Sequence, residues 1–143
     1  MTTFELDRFL PYRVSVLAGR VSRGFAERYR SRFGLSIAEW RVMAHLSQAD
    51  SVSVRDIHLK ADLEKSKASR AASRLEAAGL VEKRAAPDDR RLIALSLTAE
   101  GRALIDRMIP VARAYEAELM DALPEEDRAA FDRIVDRLLA AGA

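Results

Sequence analysis

This 143-residue chain carries apolar stripes at steps of three and four over most of its length, the spacing of helices. Only two short runs, Leu80 to Arg84 and Leu92 to Leu97, have strand character instead. Between those runs lies Ala85-Ala86-Pro87-Asp88-Asp89-Arg90-Arg91, a polar turn containing proline. Two strand-like runs around such a turn make a hairpin with a charged tip. The chain therefore reads as helices around one small hairpin.

The helices are bounded by local signals. Leu10, Val14, Leu17, Val21 and Phe25 form one apolar stripe, predicting a long helix with Pro11 in its first turn and its end near Arg32 or Phe33, before Gly34. Ser36-Ile37-Ala38-Glu39 reads as a capping box that opens a helix carrying Trp40, Val42, Met43 and Leu46. Gln48 to Val52 breaks that helix. Ser53 caps a short helix that ends near Ala61. Another runs from about Glu64 to Ala78, and Gly79 terminates it. Thr98 caps a long helix to about Ala122, with Leu104, Met108, Val111, Tyr115 and Leu119 on one stripe and a kink expected at Pro110. Pro124 restarts a last helix, whose stripe includes Phe131, Ile134, Val135 and Leu138.

Three short helices followed by a two-stranded hairpin make a winged helix-turn-helix. The expected fold is thus mainly α with a small β-hairpin wing. Residues 36–98 form the winged module, and residues 1–35 and 99–143 form a helical dimerisation region, all within a single intertwined domain. The module is too small to cover the apolar stripes of both flanking regions, and a second copy of the chain can, which argues for a homodimer.

Composition narrows the chemistry. With 49% hydrophobic residues the chain can build a core, and with no cysteine it has no disulfides, thiolate catalysis or thiol redox sensing. No apolar run is long enough to span a membrane. The N-terminus lacks a basic start followed by an apolar stretch, so the expected location is cytoplasmic. His45 and His58 are isolated and fit no metal-binding spacing. A glycine-rich phosphate loop and a nucleophile elbow are both missing, so an enzyme is set aside and no cofactor is expected. The net charge is only +2, but it is uneven: +4 over residues 1–38, −1 over 39–63, +3 over 64–102 and −4 over 103–143.

In a helix-turn-helix the last helix enters the major groove. Here that helix carries Ser66, Ser69 and Ser73 on one face and Lys67, Arg70 and Arg74 immediately beside it, with Ala68, Ala71, Ala72 and Leu75 opposite. Arginine suits guanine edges and phosphates because its planar fork donates two parallel hydrogen bonds. The helix alone could equally be a charged amphipathic surface. The hairpin decides between the two: Lys83 and Arg84 enter its tip and Arg90 and Arg91 leave it, suited to the negative potential of a narrow minor groove. Asp88 and Asp89 sit in an exposed turn between arginines without a nucleophile or metal partner, so they do not read as a catalytic pair.

The wing run Asp89-Arg90-Arg91-Leu92-Ile93-Ala94-Leu95-Ser96-Leu97-Thr98, with Gly101 three residues on, resembles the wing signature of the MarR (multiple antibiotic resistance regulator) family. Leu75-Glu76-Ala77-Ala78-Gly79-Leu80-Val81 resembles the end of that family's recognition helix and its first wing strand. The resemblance implies a dimeric transcriptional regulator that binds double-stranded DNA at palindromic operators. It implies Arg91 in the minor groove, Asp89 holding an arginine in place, and Ser66, Lys67, Ser69, Arg70 and Arg74 on the major-groove face. Ala68 and Ala71 depart from the family pattern, where bulkier aliphatics are common, which leaves open how deeply the helix is seated. The opening Phe9-Leu10-Pro11-Tyr12-Arg13 is similar to members linked to aromatic-acid catabolism. That implies a repressor released by a small ligand, an aromatic acid or acyl thioester, in a cleft between the first helix and the helix bearing Trp40. Arg13 would pair with the carboxylate, and Trp40 with Met43 would form an apolar wall. The competing assignments are Trp40 and Met43 in the core and Arg13 in a dimer salt bridge. The rival function is a winged-helix protein-interaction adaptor without DNA binding.

Overall fold

The computed structural model describes residues 3–85 and 92–142. A short 3-10 turn at Leu6–Arg8 precedes α1 (Leu10–Phe33), and α2 (Ile37–Leu46), β1 (Val52–Ser53), α3 (Val54–Ala61) and α4 (Lys65–Ala77) follow. Next come β2 (Val81–Ala85), β3 (Ile93–Leu97), α5 (Ala99–Met120) and α6 (Glu125–Gly142). The order is that of a winged helix-turn-helix between terminal helices.

The boundaries follow from the capping chemistry. Gly34 ends α1 in the left-handed conformation, at φ 68°. The Ser36 hydroxyl accepts from the Glu39 N–H at 3.2 Å, while the Glu39 carboxylate accepts from the Ser36 N–H at 3.1 Å, completing the box. Ser53 and Thr98 cap α3 and α5 in the same way, each through a hydroxyl. At the end of α4, Gly79 lies at φ 77° and the Leu80 N–H donates to the Leu75 carbonyl at 3.0 Å. That six-to-one bond is the Schellman closure. α5 continues through Pro110 as one helix.

One strand is unanticipated. Instead of a simple break before Ser53, Val52 and Ser53 pair antiparallel with Leu95 and Ala94, so the sheet has three strands in the order β1-β3-β2. Two residues carry no readable period, and pairing with β3 alone makes them a strand. β2 and β3 keep the register Val81↔Leu97 to Ala85↔Ile93.

The core lies under the winged module. Tyr29, Leu35, Val42, Met43, Leu46, Ile57, Leu75, Leu95, Leu104, Ile105 and Met108 are buried together, with Phe25 and Trp40 packed against them. The N-terminal half of α1 takes no part. Leu10, Val14 and Leu17 are about half exposed, as are Phe131, Ile134 and Leu138 on α6, and Leu139 is about two-thirds exposed. The chain exposes 10333 Å², whereas a compact monomer of this mass exposes about 7,400 Å². α1 and α5 are locked to each other: the Tyr115 hydroxyl donates to the Val21 carbonyl at 3.0 Å, and its ring stacks on Phe25 with centroids 5.6 Å apart. Among the described residues no helix is long and apolar enough to cross a membrane.

Candidate nucleic-acid interface

α4 rests on α2 and α3 through Ala68, Ala71, Ala72 and Leu75, each at most 1% exposed. Three small side chains on the buried face bring the α4 backbone close to its neighbours, so the alanines seat the helix rather than loosen it. At about 100° per residue, the sector opposite this seat holds Ser66, Arg70 and Ser73. Lys67 and Arg74 lie on one flank of that sector, and Lys65 and Ser69 lie on the other. All seven are exposed.

Neighbouring groups orient several of these side chains. Arg74 Nε stands 3.9 Å from Glu39 Oε1, the carboxylate that also closes the α2 capping box. Lys83, on β2, reaches back to α4. Its ammonium lies 3.6 Å from Glu76 and donates to the Ser73 hydroxyl at 3.5 Å. It ties the wing to the recognition helix while staying at the edge of the same face. Arg84 is exposed and paired with Glu82 at 3.2 Å. Asp89, Arg90 and Arg91 lie outside the described residues.

Two shallow clefts border α4. One, of about 350 Å³, is lined by Arg30, Ser36, Ile37, Ala38, Lys67, Arg70 and Arg74. The other, of about 400 Å³, is lined by Val54, Arg55, Lys65, Ser69, Leu92 and Ile93. Arg30 and Arg55 were not singled out from sequence. Arg30 lies in α1, more than thirty residues before α4, and Arg55 in α3, the helix just before it, and the packing of those helices brings both beside it.

The three residues expected around a ligand are not brought together. Met43 is fully buried in the core. Trp40 packs against Phe25 and Tyr29, with ring centroids 5.2 and 5.9 Å apart. Arg13 stands twelve residues before Phe25, about 18 Å away along the α1 axis, and lines a separate pocket with Asp7, Tyr12, Val16, Leu17 and Arg20. Trp40 instead lines a mostly apolar pocket of about 320 Å³ between α2 and α5, with Ala44, His45, Ser47, Gln48, Ile105 and Ile109. On the outer side of α1 and α5, Arg28 forms a two-pronged pair with Glu118. That bonding raises the Arg28 guanidinium and holds the Glu118 carboxyl below its usual range. Burial pushes the Tyr29 phenol up.

A helix seated by small aliphatics, faced with serines and guanidinium groups, and joined to a β-wing defines a winged helix-turn-helix DNA-binding protein. Residues 33–92 match the family model described as the MarR family. The chain is 30% identical over 130 residues to an HTH-type transcriptional repressor of Mycobacterium tuberculosis, a match covering 91% of each protein. Among solved structures it is similar to a MarR family regulator of Silicibacter pomeroyi, at 28% identity and TM-score 0.84, covering 99% of this chain and 100% of that one. BpsR of Bordetella bronchiseptica, whose DNA binding is regulated by 6-hydroxynicotinic acid, has the same fold at 20% identity and TM-score 0.83, covering 96% and 97%. The chain belongs to the MarR family and is a DNA-binding transcriptional regulator.

Proposed function

We propose that the protein is a homodimeric repressor that reads a palindromic operator. In this reading residues 36–98 form the DNA-binding part, and residues 1–35 with 99–143 the dimerisation part. The carrying observation is the outward sector of α4. Ser66 and Arg70 reach base edges, Lys67, Ser69 and Arg74 reach phosphates, and the wing adds Lys83, Arg84, Arg90 and Arg91, with Asp89 orienting an arginine. Dimerisation is supported by the excess exposed surface, about 3,000 Å² per chain or about 6,000 Å² for a pair, the scale of a large obligate interface, and by the apolar faces left open on α1 and α6. Repression is supported by the mycobacterial relative.

A small aromatic acid is the effector class in this proposal. Its site is the pocket between α2 and α5. That pocket has the volume of a small-ligand site and a Trp40 wall. Arg13 and Met43 have no part in it.

The test is fluorescence anisotropy with the gene's own upstream region and a shuffled duplex, each with and without 6-hydroxynicotinic acid and related acids. The expected result is salt-dependent, operator-selective binding, with Arg70→Ala lowering selectivity by about 1–3 kcal/mol. A protein that binds neither duplex is the interaction adaptor instead. A bound acid that leaves operator affinity unchanged overturns the effector assignment.

A further inference from the structure

We infer that the two clefts bordering α4 are phosphate clamps, one for each wall of the major groove, with Arg30 and Arg55 as their cations outside the recognition helix. The inference rests on α4 being the groove-reading helix.

An α-helix with its side chains is about 10–12 Å across, and the major groove of B-DNA is about 12 Å wide. A helix lying in the groove therefore fills it. Only its outermost sector faces the bases, and both flanks face sugar–phosphate walls. The faces of α4 have that form. Ser66, Arg70 and Ser73 point outward, Lys67 and Arg74 lie on one flank, and Lys65 and Ser69 lie on the other. Each flank then continues onto a neighbouring element. Arg30, one turn before the end of α1, joins Lys67, Arg70 and Arg74. Arg55, in the first turn of α3, joins Lys65 and Ser69.

Most of the charges in the clefts are available. Among the described residues Arg30, Arg55, Lys65, Lys67 and Arg70 form no ion pair within 4.0 Å, whereas Arg74, at the rim of the first cleft, has Glu39 at 3.9 Å, and Arg28, Lys83, Arg84 and Arg128 each have a carboxylate partner. Unpaired cations gathered in a cleft repel one another, and a phosphate diester relieves that repulsion. Because α3 holds α4 directly and α1 packs on α2, which also holds it, the two clamps fix how deep and at what tilt it lies. Phosphate contacts position a protein on the duplex without reading sequence.

The experiment uses the full chain and follows operator and shuffled-duplex affinity across salt concentrations for Arg30→Gln, Arg55→Gln and Arg70→Ala. Thermal melting confirms that each variant folds. A phosphate contact contributes about 0.9 to the slope of log affinity against log salt. In a two-fold dimer each glutamine variant therefore lowers the slope by about 1.8, and weakens operator and shuffled duplex by the same factor. An unchanged slope for either variant, with Arg70→Ala still losing operator selectivity, overturns the clamps and leaves the recognition-helix reading intact. If Arg70→Ala also leaves selectivity unchanged, the recognition-helix reading fails with them.

Discussion

Replacing Gly101 by alanine is a sharp test of how the winged module joins the long helices. Gly101 is buried in the first turn of α5, where its N–H donates to the Thr98 hydroxyl at 3.0 Å. A Cβ at this position would stand 2.0 Å from the Leu80 carbonyl oxygen and 3.2 Å from a methyl of Leu97. Contacts under 3.0 Å essentially never occur, so α5 and the start of the wing must separate by at least about 1 Å. The obstructing atom is backbone and cannot swing aside. It is also engaged, since it accepts from the Thr98 N–H at 3.1 Å. Overpacking of this kind costs about 1–3 kcal/mol, and a weakened hydrogen bond adds about 1 kcal/mol. Alanine's better helix propensity returns about 0.5–1 kcal/mol. The net expectation is a loss of about 2–3 kcal/mol, or about 10 °C in Tm for a chain of this length. Calorimetry at fixed protomer concentration measures it, and anisotropy well below the melting point shows whether operator affinity falls as the wing is pushed off α5. If Gly101→Ala melts at or above the wild-type temperature, as helix propensity alone requires, the close approach is not real.

Leu17→Glu places a carboxylate on the apolar half of α1, and light scattering at micromolar concentration should then move from twice 15.9 kDa towards the single-chain mass; a wild-type protein already monomeric there refutes the dimer. For Glu118 the depressed carboxyl pKa means that the Arg28 pair stabilises the folded state above the ordinary glutamate pKa of about 4.3 and loses that contribution as pH falls through the folded value. Glu118→Gln should accordingly melt slightly below wild type at pH 7 in low salt, with the two curves meeting in acid; both groups are exposed, so high salt should also close the gap. Ser36→Ala removes the hydroxyl of the capping box and should lower stability by about 1 kcal/mol in urea unfolding.

What could be read from sequence was local. Gly34, the Ser36–Glu39 box, Ser53, Thr98 and Gly79 mark helix ends because each cap is made within four or five residues. β1 escaped because Val52 and Ser53 owe their conformation to Leu95 and Ala94, some forty residues away. The α1 stripe was a true period, yet Leu10, Val14 and Leu17 touch no core in this chain, while Ala26 and Tyr29 do. Periodicity finds an apolar face without saying what covers it. Met43 reads from sequence either as a ligand wall beside Trp40 or, by its helical spacing with Trp40, as core, and it turns fully inward. The α4 face was legible as a pattern, whereas Arg30 and Arg55 become its neighbours only through the packing of α1 and α3.

α5 belongs to both halves of the molecule at once. Its first turns, through Gly101, Leu104, Ile105 and Met108, are sealed into the winged module, and its later turns are fastened to α1 through Tyr115. Twenty-two residues make a rod about 33 Å long. A tilt of about 5° at one end swings the other by about 3 Å, nearly the 3.4 Å rise of one base step. With its later turns held against α1, the rod carries the winged module through that distance, so an angular change too slight to disturb the core displaces the module by nearly one base step.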